Sequence, residues 1–188
     1  MTDLDSISER VRISAQRISE TGAVALAGLY DLTSIRLVRF AVTITRNQHD
    51  AEDAVQAALV RVVANANLLV KADSPWPYLL RMVRNEALVV LRKRKRWGII
   101  QNLTDLLTRR SVDELEREDT YRAVWLALRA LPPEQSEIVV LKIWEELTFS
   151  QIADILGLSP STAASRYRYA LQKLAGQLHS IQREVNHE

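Results

Sequence analysis

Between Ala23 and Trp97, apolar residues recur every three or four positions through long stretches free of glycine and proline, the pattern of helices with one buried face. From His49 to Val70, the residues Ala54, Val55, Ala58, Leu59, Val62, Val63, Ala66 and Leu69 keep that spacing without a break and predict one continuous helix. From Trp76 to about Trp97, Leu79, Leu80, Val83, Ala87, Val90 and Leu91 predict another. The polar breaks Asn47-Gln48-His49 and Asp73-Ser74-Pro75 separate the helices of this half. A second helical set covers residues 119–182, punctuated by Leu131-Pro132-Pro133, Thr148 and Gly157. Residues 98–118 mix charges with little apolar periodicity and read as a flexible linker. Residues 1–22 read as a polar N-terminal extension, either a short helix or a mobile tail. No strand-like alternation is sustained. The expected fold is therefore all-α: two small helical domains, 23–97 and 119–182, on a flexible linker.

Composition narrows the chemistry. Apolar residues make up 47% of the 188, enough for packed cores. With no cysteine there are no disulfides, thiolate metal sites or cysteine nucleophiles. His49, His179 and His187 lie far apart without ligand spacing, so neither metal nor other cofactor is expected. The charged N-terminus lacks the apolar core of a signal peptide, and no apolar run approaches the roughly 20 residues that span a bilayer. A cytoplasmic protein without membrane insertion is expected. No nucleophile–base pair, paired carboxylates or phosphate-cradling glycine loop suggests an enzyme. The net charge is only +2, but the basic charge is local: Arg92, Lys93, Arg94, Lys95 and Arg96 are consecutive.

Residues 148–171 are the most informative segment. Thr148 with Gln151 three positions on forms a capping box that starts a helix. Gly157 sits where a short helix ends and φ turns positive. Ser159 and Pro160 supply the N-cap and first-turn proline of a second helix. That is the anatomy of a C-terminal helix-turn-helix. Wound at 100° per residue, the second helix gathers Ala163, Tyr167, Ala170, Leu171 and Leu174 toward the core. Ser161, Ser165, Arg168 and Gln172 gather opposite, flanked by Thr162, Arg166, Tyr169 and Lys173. Short hydroxyls, Arg and Gln suit base edges in a major groove, and Arg166 and Lys173 suit phosphates. The same face also fits an ordinary solvated surface helix.

Upstream, Leu131-Pro132-Pro133-Glu134-Gln135 opens a supporting helix. Residues 131–174 closely resemble the promoter-binding C-terminal domain of extracytoplasmic-function sigma factors. The match rests on Leu131, Pro132, Ile152, Ala153, Leu156, Gly157, Thr162, Ser165, Arg166, Ala170 and Leu174. It departs at Ala163 and Ala164, where the family has Val and Lys.

Two further faces lie in the N-terminal half. Asp50, Asp53, Gln56 and Arg61 share a face with Ala57, Val60 and Ala64, an acidic patch with small apolar gaps that suits a basic protein partner. Tyr78, Arg81, Asn85, Arg92 and Arg96, with Arg84 at the edge, form a basic stripe with an aromatic at one end. Such a stripe offers single-stranded DNA charges for its backbone and a ring for stacking, and it also fits a solvated basic face. The resemblance extends to both. "RNQHDAEDAVQAALVRV" is similar to the sigma-factor segment that grips the clamp helices of the polymerase's largest subunit, which puts Asp50, Glu52, Asp53 and Gln56 at those positions. "PYLLRMVRNEALVVLRKRKR" resembles the helix that opens the minus-ten element, with Tyr78 where the family has Trp and Val89 where it often has Asp.

The resemblance covers roughly residues 23–180. It implies an adaptor that docks on core RNA polymerase at its clamp helices and flap. One helix would read minus-thirty-five duplex through Ser161, Thr162, Ser165, Arg166, Arg168, Tyr169, Gln172 and Lys173. The other would trap the single-stranded minus-ten region through Tyr78, Arg81, Arg84, Asn85, Arg92 and Arg96. It also implies an anti-sigma factor as a further partner. Two rivals stand beside it: a helix-turn-helix regulator without polymerase docking, and a sigma-mimicking interaction module that does not bind DNA.

Overall fold

The computed structural model describes the backbone of residues 3–97 and 119–185, and the side chains of residues 6–95 and 124–176. The expected linker at 98–118 lies outside the described residues, as does the side chain of Arg96.

The N-terminal stretch is a helix, α1 (Asp3–Thr21). Ile7, Val11, Ala15 and Ile18 form a narrow apolar line within its charged sequence, and all four are buried. Arg12 ties α1 to the rest: Nη1 donates to the Val70 carbonyl at 2.6 Å and Nη2 to that of Asp73 at 3.4 Å. A 3-10 turn (Gly22–Ala25) leads into α2 (Leu26–Thr45). That helix stops at Arg46, which adopts φ 59°, a left-handed conformation that non-glycine residues rarely take. Asn47 then caps α3 (Gln48–Ala64), its Oδ1 accepting from the Asp50 N–H at 3.0 Å.

The continuous helix expected from His49 to Val70 is not formed. Asn65 leaves helical geometry at φ −152° and ψ 69°, and a single turn, α4 (Asn67–Val70), follows. The apolar spacing persists across this break because Ala66 and Leu69 are still buried, in a turn that packs on α1. Pro75 opens α5 (Pro75–Trp97), which buries Trp76, Leu79, Leu80, Val83 and Ala87 completely.

In the C-terminal half, α6 (Asp119–Ala130) is joined to α7 (Pro133–Ile143) at Leu131-Pro132. The Ser136 hydroxyl donates back to the Leu128 carbonyl at 2.7 Å. In α7, Ile138, Val139, Val140 and Leu141 are all buried, so this helix is enclosed on every side rather than on one. Then come α8 (Phe149–Leu156) and α9 (Pro160–Val185). The reason α7 is enclosed is that the two halves share one apolar core, with α2 packed on α7 and α5 on α8. Burial of each large aliphatic or aromatic side chain in that core contributes about 1.5–3 kcal/mol. Among the described residues, no helix is long and apolar enough to cross a membrane.

Candidate nucleic-acid interface

Thr148 and Gln151 form a reciprocal cap at the start of α8. Thr148 Oγ1 accepts from the Gln151 N–H at 3.2 Å, and Gln151 Oε1 accepts from the Thr148 N–H at 2.9 Å. Gly157 closes the helix at φ 68°. Ser159 Oγ accepts from the Thr162 N–H at 3.1 Å, so α9 begins at Pro160 with a satisfied end. Ile152, Ala153, Ile155 and Leu156 of α8 are buried, as are Ala163, Ala170 and Leu174 of α9. The Phe149 and Tyr167 rings meet at 5.7 Å, fixing the crossing of the two helices.

The opposite face of α9 is open. Ser161, Thr162, Arg168, Tyr169, Gln172 and Lys173 are exposed, while Ser165 and Arg166 are half-buried. Leu171, expected in the core, is 37% exposed. It lies 100° round the helix from Ala170 and falls at the margin. The Ser161 and Thr162 hydroxyls sit 2.9 and 2.8 Å from Ser159 Oγ, held in a local cluster at the helix start. Arg168 reaches only a long contact to Ser165 Oγ at 3.5 Å, leaving its guanidinium available for a bidentate bond.

On α3, Glu52, Asp53 and Gln56 are exposed, and Val60 beyond them is 65% exposed. Asp50 differs: its Oδ2 lies 3.0 Å from Arg94 Nη1, which turns the carboxylate toward α5. On α5, Arg81, Asn85 and Arg92 are exposed. Tyr78 is half-buried against the core, with the Arg81 guanidinium 4.9 Å from its ring centroid. Beside Asn85 and Arg92 runs an open groove of about 520 Å³ lined also by Leu88, Val89, Leu91 and Lys95 and by Arg61 and Glu86, which pair at 2.8 Å. Its aliphatic side chains, with the cations of Arg92 and Lys95 beside them, suit a base and its phosphates.

Arg84 is placed differently from the rest of its stripe. Its Nε lies 2.7 Å from Glu137 Oε2 on α7, with both side chains largely covered. Burial pushes the Glu137 carboxyl up from the ordinary glutamate range, while the Arg84 hydrogen bond and charge and, more weakly, Arg166 pull it down. This pair belongs to a wider network that the sequence did not reveal. Glu145, just after α7, is fully buried and accepts from Arg36, Arg39 and Trp76. Arg46 donates to the carbonyls of Arg129 and Leu131 at 3.1 and 2.6 Å and to Ser136 Oγ at 3.0 Å.

Comparison with known proteins bears on both halves. Residues 29–97 match the family model described as Sigma-70 region 2, and residues 121–174 the one described as Sigma-70, region 4. The chain is 31% identical over 145 residues to the RNA polymerase sigma-E factor of Streptomyces avermitilis, covering 77% of this chain and 79% of that protein. It is 26% identical over 141 residues to the RNA polymerase sigma factor SigV of Bacillus subtilis, covering 74% and 82%. Among solved structures it resembles the sigma factor RpoE in complex with the anti-sigma factor NepR from Bartonella quintana. There the TM-score is 0.61 and the identity 24%, over 76% of this chain and 89% of that one. It also resembles CnrH in complex with the cytosolic domain of CnrY, at a TM-score of 0.60 and 22% identity, over 90% and 97%. At these identities the structural likeness speaks for the fold.

Proposed function

This chain belongs to the sigma-70 family as an alternative sigma factor of the extracytoplasmic-function type, which binds core RNA polymerase and directs promoter-specific initiation, and from that premise we propose how its faces divide the work. The exposed line Arg168, Gln172 and Lys173 on α9, with Ser161, Thr162, Ser165, Arg166 and Tyr169 around it, reads the minus-thirty-five duplex. Glu52, Asp53 and Gln56 on α3 dock on the polymerase clamp, with Asp50 supporting them through Arg94. Tyr78, Arg81, Asn85 and Arg92 on α5 take the unpaired minus-ten strand, with Arg84 and Arg96 on the same helix. The observation that carries this reading is the capped α8–glycine–α9 unit, which buries one side of α9 and opens a polar, cationic side. The chain itself is a non-catalytic adaptor, works in the cytoplasm, and is held in reserve by an anti-sigma factor, as one structural relative, the sigma factor RpoE, is described in complex with the anti-sigma factor NepR. Residues 23–97 and 119–182 serve as the polymerase/minus-ten and minus-thirty-five domains.

The test is reconstitution with core polymerase followed by sequencing of transcript starts. Starts gathered downstream of one shared pair of elements are expected. Transcription no different from core enzyme alone would overturn the reading.

Two variants separate the DNA contacts. Arg168→Ala is expected to cost about 1–3 kcal/mol on the cognate minus-thirty-five element and to relax the preference at one base position. Lys173→Ala should weaken all duplexes alike and flatten the salt dependence by about one phosphate contact. Binding titrations across a substituted promoter set at two salt concentrations check both. Tyr78→Ala is expected to leave duplex binding near normal while sharply lowering open-complex yield, since about 1–3 kcal/mol of base stacking is lost. Tyr78→Phe keeps the ring, and a promoter pre-melted at minus-ten should restore part of the Ala variant's activity. If the pre-melted template rescues nothing, Tyr78 acts only as packing.

A further inference from the structure

Helix α1 carries none of the proposed binding residues, yet one of its side chains is spent on the segment that leads into α5. Arg12, half-buried midway along α1, donates from Nη1 to the Val70 carbonyl at 2.6 Å and from Nη2 to the Asp73 carbonyl at 3.4 Å. Glu9, one turn earlier, sets its Oε2 3.5 Å from Arg12 Nε and steadies the remaining edge of the guanidinium. Around this contact Ile7, Val11, Ala15 and Ile18 are buried where α1 packs on α4 and α5. Apolar packing of that kind is non-directional and tolerates sliding, whereas N–H···O bonds fix direction.

The segment has little to hold itself in place. Helix α4 is a single turn of four residues, and helices that short are marginal alone. Beyond Ala72, whose N–H reaches the Leu69 carbonyl at 3.3 Å, Asp73 and Ser74 run on into Pro75. Pro75 and Pro77 have no N–H to donate, so the first turn of α5 is tied back through Tyr78. The Tyr78 N–H donates to the Ser74 carbonyl at 3.1 Å, and Ser74 is the residue next to the one that Arg12 grips. A line of contacts thus runs from Arg12 through Asp73 and Ser74 to the backbone of Tyr78, whose ring lies 4.9 Å from the Arg81 guanidinium.

We propose that Arg12 is a positioning residue for the minus-ten strand: by holding the Val70 and Asp73 carbonyls it fixes the first turn of α5, and with it the Tyr78 ring on which an unpaired base stacks. The proposal rests on the minus-ten reading of α5. Arg12 acts through Tyr78 and touches no DNA itself. The planar fork of arginine spans two carbonyls at once, which the single ammonium of lysine does not.

The test compares holoenzymes on a promoter fork whose unpaired minus-ten strand carries a fluorescent adenine analogue, quenched when it stacks. Readings are taken at a temperature where circular dichroism shows every free variant folded. Tyr78→Ala is expected to weaken fork binding by about fivefold to 150-fold, the worth of one stacked base. Arg12→Met keeps an apolar stem and removes the donors; it should lose about threefold to tenfold, a share of the same stacking, with weaker quenching. Its affinity for core polymerase and for minus-thirty-five duplex should stay at the wild-type level. Arg12→Lys should fall between wild type and Arg12→Met. In a Tyr78→Ala background, Arg12→Met should cost nothing more, because the two residues act as one unit. Should Arg12→Met fail to fold, Arg12→Gln takes its place.

An Arg12 that only supports the fold would lower the unfolding temperature and leave fork affinity and quenching unchanged. That result overturns the proposal, and so does a full additional loss in the double variant. If Arg12→Met binds the fork like wild type while Tyr78→Ala does not, the minus-ten reading stands and the role of Arg12 falls. If Tyr78→Ala itself binds like wild type, both fall together.

Discussion

Asp53→Arg is expected to weaken the complex with core polymerase by several kcal/mol while leaving thermal unfolding near wild type. Asp53 is about half exposed, and its contact with the exposed His49 ring is long at 3.9 Å. The fold therefore loses little, within about 0.5 kcal/mol for such a surface position. An interface with a basic partner loses far more, because like charges brought together across it cost several kcal/mol. Gln56→Arg should act in the same direction. Asp50 is a poor probe, since its carboxylate holds Arg94 at 3.0 Å and reversing it sets two cations together inside the α3–α5 pair. Co-elution with core enzyme at increasing salt is the measurement. An Asp53→Arg protein that co-elutes like wild type removes α3 from the docking surface.

Trp76→Ala should be the most destabilising substitution, at about 3–5 kcal/mol, as for other large aromatic side chains removed from a core. Trp76 is fully buried, and its ring packs beneath Arg36 while its N–H serves Glu145. Against a typical total of about 5–15 kcal/mol, that is a large share of the fold. Trp76→Phe separates the two roles. It restores most of the packing and withholds only the hydrogen bond, for a cost nearer 1 kcal/mol because Arg36 and Arg39 still serve the carboxylate. Urea midpoints of the two variants check this. A loss below about 1 kcal/mol for Trp76→Ala would mean the ring is not a core element.

Local signals were legible in the chain and non-local ones were not. The Thr148–Gln151 cap, the positive φ at Gly157 and the Ser159-Pro160 start of α9 are each decided within four residues, and each was written in the letters themselves. The same holds for the breaks at Asn47 and Ser74. The burial of Ile7, Val11, Ala15 and Ile18 was harder to see, because four apolar residues in a strongly charged stretch read as a polar tail until α2, α4 and α5 are there to cover them. The Asn65 break escaped because periodicity reports which residues are buried, and a new turn can keep burying them. Leu171 and Tyr78 sit at helix margins, where a wheel cannot separate half-covered from buried. Least legible were Glu137 and Glu145. In sequence they are two acids among many, and what buries them is cations about 50 to 110 residues away.

That distance along the chain also sets an order of events during synthesis. Domains fold as units, the N-terminal one first, while translation adds about 5–20 residues per second. Helices α1 to α5 end at Trp97, and Glu145 follows about fifty residues later. For about 2–10 seconds the nascent first half carries its acidic α3 face, and Arg36, Arg39 and Trp76 wait for Glu145 to be made. Each newborn first half thus spends its first seconds accessible to whatever partner reaches the ribosome first.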